Sequence, residues 1–282
     1  MHDSVTMKLI DWSKKNDDIR LLILEGSRGA NSKLDEFSDY DINVYTTDVD
    51  KYTSHNEWIY SFGEVVVYQK ENLWYNDLFI PTRLTVYKNQ PRIDFSFWPI
   101  SVLDTFRDET YEPYKNGFIV LLDKDGLSFN IPKPTYRGFE IVQPDEDEYQ
   151  KNIYNFYFEA YIVVKYLKRE NLWVAKYVEN DAIKSYLLKV LCWLEYAKNP
   201  ETKKNFRIDG KWLEKSVNEE TQKRISCCFS GYGSDETWKS LNSMILFFND
   251  LNKEYAEIAG YVYPEKKIGE MMEFLNGLYI SK

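Results

Sequence analysis

The sequence predicts an α+β protein in which a strand-rich N-terminal part precedes an all-α C-terminal part. From about residue 18 to 135, short runs of β-branched and aromatic residues alternate with turn residues, which is typical of strands. Beyond Pro144 the apolar residues recur at spacings of three and four, which indicates helices. A chain of 282 residues is long enough for one large core or two modest ones.

Each predicted element follows from its local pattern. A first helix is expected with Ser4 as N-cap and with Val5, Leu9 and Trp12 on one face. Six strands are predicted at Ile19–Glu25, Tyr40–Thr46, Gly63–Gln69, Arg83–Tyr87, Arg92–Trp98 and Phe118–Leu122. Later helices are predicted at 146–170, 173–197, 218–229, 235–259 and 265–279. Prolines at 132, 134 and 144 mark the connector, so we expect two domains, 1–140 and 141–282.

The charge balance restricts the function. The chain has 45 Asp and Glu against 36 Lys and Arg, a net charge of −9. A general nucleic-acid binder needs clustered Lys and Arg, so this class is disfavoured, and we expect a cationic ligand or an anion that arrives with metal. Only 2 His are present, which excludes most zinc hydrolases and most nucleophiles with an imidazole base. Catalysis would therefore rest on carboxylates.

Cysteines and termini give simpler expectations. Cys192, Cys227 and Cys228 show no CxxC spacing, so we expect reduced, buried thiols.

The N-terminus lacks the pattern of a signal peptide, and no segment has the ~18 apolar residues of a membrane span. The sequence therefore predicts a cytoplasmic protein without membrane contact. The acidic run 145–148 falls at the start of a predicted helix, where helix capping explains it.

A glycine-serine pair follows the first predicted strand. Gly26 and Ser27 come after the apolar run Leu21–Leu24, where a backbone without a Cβ can approach a phosphate and a hydroxyl can donate to it. The GxxxxGK[ST] spacing is absent, so this is not a Walker P-loop. The pair predicts a cradle for an anion.

Three aspartates lie in runs with strand character. Asp39 and Asp41 alternate, so both carboxylates share one face of a strand, roughly 7 Å apart. Asp94 stands in a later apolar run, where an acid is costly unless it is paired or bound to metal. Carboxylates so placed can hold magnesium against a polyphosphate. Pairing of Asp94 with Arg83 or Arg92 is the alternative, but the three acids in this order favour a metal site.

Together these residues resemble a known superfamily. Gly-Ser, then Asp-x-Asp, then a third Asp on a later strand is the signature of the DNA polymerase β-like nucleotidyltransferases. Longer motifs resemble the streptomycin (aminoglycoside 6-) adenylyltransferase family, and they are Leu24–Arg28, Asp35–Ile42, Ile93-Asp94 and Leu122–Asp125. The similarity extends more thinly through the helical half.

The resemblance implies both a fold and a set of site residues. It implies an N-terminal nucleotidyltransferase domain with a mixed β-sheet flanked by helices, followed by an all-α helical-bundle domain that binds nucleotide and substrate. The catalytic and metal-binding positions fall on Asp39, Asp41 and Asp94. The nucleotide-binding positions fall on Gly26, Ser27, Arg28, Lys165 and Arg169.

Lys165 and Arg169 are four residues apart on a predicted helix and so share one face. Two cations in this arrangement repel each other unless an anion lies over them, and the resemblance supplies a triphosphate. Ion pairs with Glu159 or Glu170 are the alternative.

The reaction that the resemblance implies is transfer of AMP from Mg-ATP to a hydroxyl of an aminoglycoside such as streptomycin, with release of pyrophosphate. Asp94 is the first candidate to receive the hydroxyl proton and Glu159 the second.

The identity of the acceptor stays open, because Asn155 replaces a family Glu and Tyr166 replaces a family Gly where the acceptor would bind. The alternatives are another small-molecule or protein hydroxyl as acceptor, or a nucleotide-binding module without turnover. A template-dependent polymerase would need a basic groove that this charge balance does not offer.

Overall fold

The chain divides into two compact units, residues 1–138 and 139–282. The structure is a computed structural model that describes residues 3–30, 34–107, 111–136, 141–199, 210–211 and 213–280. Each unit has its own apolar core. The α+β class predicted from the sequence is confirmed, because all the described strands lie in the first unit and the second is helical.

The first unit is built on a six-stranded sheet. Its strands are β1 (Ile19–Glu25), β2 (Tyr40–Thr46), β3 (Val65–Tyr75), β4 (Leu78–Tyr87), β5 (Gln90–Pro99) and β6 (Ile119–Asp123). Their order is β3-β4-β5-β2-β1-β6, and only β2 and β5 pair in parallel, so the sheet is mixed, as predicted. The helices of this unit are α1 (Ser4–Lys15), α2 (Gly26–Gly29), α3 (Asp50–Ser54) and α4 (Glu112–Lys115).

Apolar side chains cover both faces of this sheet. On one face the core includes Leu9 of α1 and Phe95 of β5, both fully buried. On the other face Trp98 packs with Phe106 and Tyr111, and the ring centroids of Trp98 and Tyr111 are 5.1 Å apart. Many of the aromatic residues in this unit therefore serve core packing.

In the described residues of the second unit, the regular elements are all helices, as predicted. They are α5 (Glu146–Lys168), α6 (Leu172–Val178), α7 (Lys184–Lys198), α8 (Leu213–Ser216), α9 (Glu219–Ser226), α10 (Ser234–Ala259) and α11 (Glu265–Ile280). The carboxylate of Asp145 accepts a hydrogen bond from the backbone N–H of Glu148 at 2.8 Å, which confirms that the acidic run caps α5. No helix among the described residues is long and apolar enough to cross a membrane.

The helix predicted over 173–197 is present, but it contains a π-helical turn that the prediction lacked. The structure has α6 and α7 with a π-helical turn, Glu179–Ile183, between them. Glu179 is fully buried in this turn and forms an ion pair with Lys176 and a hydrogen bond with Ser240. The extra residue of a π-turn rotates the faces of the helix, and a local periodicity of apolar residues does not reveal it.

Three smaller expectations are also corrected. Asp3, not Ser4, is the N-cap of α1, because its carboxylate accepts from the backbone N–H of Thr6 at 2.8 Å. Cys227 is exposed, whereas Cys192 and Cys228 are buried, and all three are free thiols. The strands β3 and β4 are longer than predicted. Polar side chains interrupt the alternation of apolar residues on the edge strand β3, and Pro81 lies in the added part of β4.

Candidate active site

Three carboxylates stand side by side on neighbouring strands. Glu25 lies opposite Asp41 across the antiparallel β1–β2 pair, and Asp41 lies opposite Asp94 across the parallel β2–β5 pair. Directly opposed residues face the same side of a sheet, so the three form one row. Asp39 directly precedes β2, two residues before Asp41. The structure thus brings the three predicted aspartates together and adds Glu25, which the sequence analysis did not select.

Arg92 is the cation that balances part of this row. One nitrogen of its guanidinium, Nη2, lies 2.8 Å from Asp94 Oδ2 and 2.9 Å from Asp39 Oδ2. The alternative partner, Arg83, is engaged elsewhere, because it donates to Asn56 Oδ1 at 2.7 Å and to two backbone carbonyls. The alternation of strand β5, which puts Arg92 on the face of Asp94, is the signal that could have identified it.

The row carries more negative charge than the nearby cation can offset. Burial raises the pKa of Asp94 to about 7, with Asp41 and Asp39 adding to the shift and Arg92 opposing it. Burial and the neighbouring Asp41 raise the pKa of Glu25 to about 8, while a hydrogen bond from Asn43 opposes the shift. Oδ1 of Asp94 and Oε2 of Glu25 are buried without a hydrogen-bond partner. A further cation beside these two oxygens would stabilise the ionised carboxylates.

The donor set fits a hard divalent cation such as magnesium. Carboxylate oxygens are its preferred protein ligands, and two of the oxygens in the row are buried without partners. The guanidinium of Arg92 already bridges Asp39 and Asp94, as a cation between them would. Among the residues that the structure describes, no three acidic, His or Cys side chains are close enough to form a finished metal site. The carboxylates would therefore adjust when a metal ion replaces the guanidinium.

Gly26 allows Asp41 to lie against the turn after β1. Its φ is +67°, in the left-handed region, and a Cβ at this position would lie 1.9 Å from Asp41 Oδ2. Ser27 follows in α2 and is half-buried. The Gly-Ser pair thus lies beside the carboxylate row, so any phosphate held by the Ser27 hydroxyl would be close to the acids.

Arg28 has a structural part in the site. It donates to the backbone carbonyls of Ser38 and Asp39 at 2.9 and 3.1 Å, and its guanidinium carbon lies 3.8 Å from the centre of the Tyr40 ring. These contacts fasten the segment that leads into β2 and therefore fix the position of Asp39. The predicted contact of Arg28 with phosphate stays a prediction.

The predicted cations of the helical unit lie on and just after α5. Lys165 is half-buried on the helix, with its Nζ 5.1 Å from the centre of the Tyr166 ring. Arg169 is the C-cap and is exposed, and its N–H still bonds the carbonyl of Lys165 at 3.2 Å. In the described part of this unit, neither forms an ion pair with Glu159 or Glu170. Their role in nucleotide binding stays a prediction.

The motif Leu122–Asp125 is structural in this chain. Asp123 accepts hydrogen bonds from the backbone N–H groups of Leu127 and Ser128 at 3.0 and 2.9 Å, and Asp125 forms an ion pair with Arg20. These contacts secure the end of β6 beside β1.

Fold and site together define the class of this protein. A mixed sheet that carries Gly-Ser after its first strand and carboxylates on β2 and on its parallel neighbour β5 is a nucleotidyltransferase domain. The profile of the family described as Streptomycin adenylyltransferase matches residues 1–278, so the chain belongs to that family. It is therefore an enzyme, a nucleotidyltransferase of the aminoglycoside adenylyltransferase type.

Individual relatives agree with this family. A protein of Bacillus subtilis (strain 168) named aminoglycoside 6-adenylyltransferase is 27% identical, over 96% of this chain and 95% of its own. A protein of the same name from Campylobacter jejuni is also 27% identical, over 91% of this chain and 88% of its own. A crystal structure of an aminoglycoside 6-adenyltransferase from Bacillus subtilis matches 99% of this chain and 100% of that chain, with 24% identity and a TM-score of 0.48.

Replacing Gly26 with Ala should displace the Asp41 carboxylate, because the new Cβ overlaps it. We expect kcat/KM for nucleotidyl transfer to fall about 100-fold, the scale of an ångström-sized misplacement of a reacting group. The matched control is Gly63→Ala in the same unit, where the new Cβ would find its first neighbour at 3.4 Å. A folded Gly26→Ala variant with the rate of the unmodified enzyme would contradict the assigned position of Asp41.

Removing the Asp94 charge should stabilise the metal-free protein at high pH. Its folded pKa of about 7 lies above the ordinary 3.8, so the folded state binds the proton more tightly and loses stability as the pH rises through 7. At about 1.36 kcal/mol per pKa unit, Asp94→Asn should raise the free energy of unfolding by up to about 4 kcal/mol at pH 8, and hardly at pH 4.

The free energy of unfolding is measured by urea titration at pH 4 and pH 8 with a chelator present. The parent protein, Asp94→Asn and the exposed control Asp77→Asn are compared. An effect of Asp94→Asn that is the same at both pH values would show that the carboxyl is not perturbed.

Proposed function

We propose that this enzyme transfers AMP from Mg-ATP to a hydroxyl of an aminoglycoside of the streptomycin type and releases pyrophosphate. The observation that carries the proposal is the register of β2 with β5, which sets Asp41 opposite Asp94 beside Gly26 and Ser27. Membership of the Streptomycin adenylyltransferase family and the names of the relatives support the choice of nucleotide and acceptor. A reaction that consumes ATP belongs in the cytoplasm.

Asp39, Asp41 and Asp94 would hold the metal. When bound, magnesium would neutralise the phosphate oxygens and make the α-phosphorus more electrophilic. The segment before β2 keeps Asp39 in place through Arg28, and the sheet register does the same for Asp41 and Asp94. The protein thus fixes the backbone positions of these acids, and only their side chains would adjust when the metal binds.

Asp94 is the group that we assign to receive the proton of the acceptor hydroxyl. A group that binds a proton readily can act as a base, and burial raises the pKa of Asp94 to about 7 in the protein without metal. In the reaction the hydroxyl oxygen forms a bond to the α-phosphorus, the bond to the β-phosphate oxygen breaks, and the proton passes to Asp94. Glu159 is the second choice and belongs to the helical unit.

The phosphate chain of ATP would be bound by several groups. The Ser27 hydroxyl and the backbone N–H groups after Gly26 would contact the β- and γ-phosphates, because Gly26 has no side chain to block them. Lys165 and Arg169 would bind the same phosphates, since both are cations without a carboxylate partner among the described residues of the helical unit. A phosphate would relieve their mutual repulsion.

An aminoglycoside is a polycation, and the surplus of carboxylates would attract it. The chain has a net charge of −9, and the acids of the row, which a bound metal would neutralise, account for only part of it. Attraction of this kind concentrates a cationic acceptor at the site and weakens as salt is added.

The acceptor can be identified with ATP labelled at the α-phosphate. We expect label to pass to streptomycin in the presence of Mg²⁺, with one pyrophosphate released per AMP transferred. Aminoglycosides with other ring systems and a mixture of proteins serve as competing acceptors in parallel reactions. Label that appears only on another antibiotic or on protein would keep the transferase chemistry and overturn the streptomycin assignment.

Loss of either aspartate of the Asp-x-Asp pair should abolish most of the activity. Asp39→Asn or Asp41→Asn removes a strong electrostatic contact made in the transition state, so we expect a loss of at least ~3 kcal/mol, or more than about 100-fold in kcat/KM. Asp77→Asn removes the same charge from an exposed hairpin of the same unit and should be neutral. Near-normal transfer by either Asn variant would refute the metal assignment.

A further inference from the structure

One acidic side chain in the row has no part in the proposed reaction. Glu25 is the last residue of β1, directly before Gly26, and it is paired in register with Asp41. Asp41 therefore has a carboxylate neighbour on each side, Glu25 on β1 and Asp94 on β5. An acid that directly follows the apolar run Leu21–Leu24 is costly, and packing does not require it.

The available cation does not reach Glu25. Arg92 contacts Asp94, on the β5 side of Asp41, and Asp39, which precedes β2 two residues before Asp41. No ion pair among the described residues includes Glu25, and its Oε2 is buried with no hydrogen-bond partner. The β1 side of Asp41 therefore holds a carboxylate oxygen that lacks both a cation and a donor.

The polar neighbour of Glu25 on this face of the sheet is Asn43, which acts to lower the pKa of the Glu25 carboxyl. The Asn43 amide is itself fixed, because its Nδ2 donates to the Tyr114 hydroxyl at 2.9 Å. Oδ1 of Asn43 accepts from Trp98 Nε1 at 2.8 Å. The Asn43 amide is thus committed to Tyr114 and Trp98, and Oε2 of Glu25 is buried with no hydrogen-bond partner.

We propose that Glu25 is a fourth metal-ligating carboxylate, which holds a divalent cation together with Asp41. The inference rests on the proposed function, because it assumes that the aspartates bind metal. Glu25 and Asp41 are adjacent carboxylates, and Oε2 of Glu25 is buried with no hydrogen-bond partner. Such an oxygen is a suitable ligand for magnesium or manganese, which bind carboxylate oxygens. Glu25 would thus add a ligand from β1, so that acids from β1, β2 and β5 would together hold the bound cation.

The test measures metal binding directly, without nucleotide. Mn²⁺ is titrated into the full chain at pH 7.5 and the free ion is followed by electron paramagnetic resonance. Glu25→Gln keeps the shape of the side chain and should weaken Mn²⁺ binding by about tenfold or more. Glu57→Gln, an exposed acid of the same unit, should leave the affinity unchanged.

A second measurement guards against misfolding of the variant. In a chelator, Glu25→Gln should be at least as stable to urea as the parent protein, because Gln keeps the shape of the side chain and cannot be charged beside Asp41. Added Mn²⁺ should then raise the unfolding midpoint less in the variant than in the parent. Parent-like Mn²⁺ affinity in Glu25→Gln would overturn the inference and would mean that Glu25 satisfies its buried oxygen by staying protonated.

Asp39→Asn separates this result from a failure of the proposed function. Weaker Mn²⁺ binding in Asp39→Asn, with unchanged binding in Glu25→Gln, would overturn the role of Glu25 alone. Unchanged binding in both Asp39→Asn and Asp94→Asn would refute the whole metal centre, and Glu25 with it.

Discussion

The parallel pairing of β2 with β5 is the constraint on which the site depends. It sets Asp41 directly opposite Asp94, and the antiparallel partner β1 adds Glu25 on the other side. Like charges at directly opposed positions repel, so the sheet tolerates this row only with a cation near it. Arg92 supplies that charge at one end of the row. The local backbone is shaped around the same acids, as the left-handed Gly26 shows.

The row of acids destabilises the fold and serves the reaction for the same reason. Burial and mutual repulsion raise the pKa values of Asp94 and Glu25 to about 7 and about 8, so both would gain from a bound cation. The rest of the domain offsets this cost by apolar packing on both faces of the sheet, where Trp98 and Phe95 are fully buried. An acidic centre can therefore be maintained without histidine or a disulfide.

The two units differ in how far the sequence predicts them. In the first, β1 and β2 have the predicted bounds, because each is a short run in which local alternation agrees with burial. The edge strand β3 extends past its predicted end through polar residues 70–72, which pair with β4, to Tyr75, which is buried in the core. In the second unit, the π-turn at Glu179 was missed because a buried ion pair, and not apolar spacing, accompanies it.

The sequence by itself determined the α+β class, the order of Gly26, Ser27, Asp39, Asp41 and Asp94, and through these motifs the family. Those features are local or depend on residue identity alone. Only the tertiary structure decided that Glu25 joins the row, that Arg92 and not Arg83 pairs with Asp94, and that Arg28 fastens the segment before β2. These contacts join residues far apart in the chain, and strand register, which local patterns do not specify, determines which of them meet.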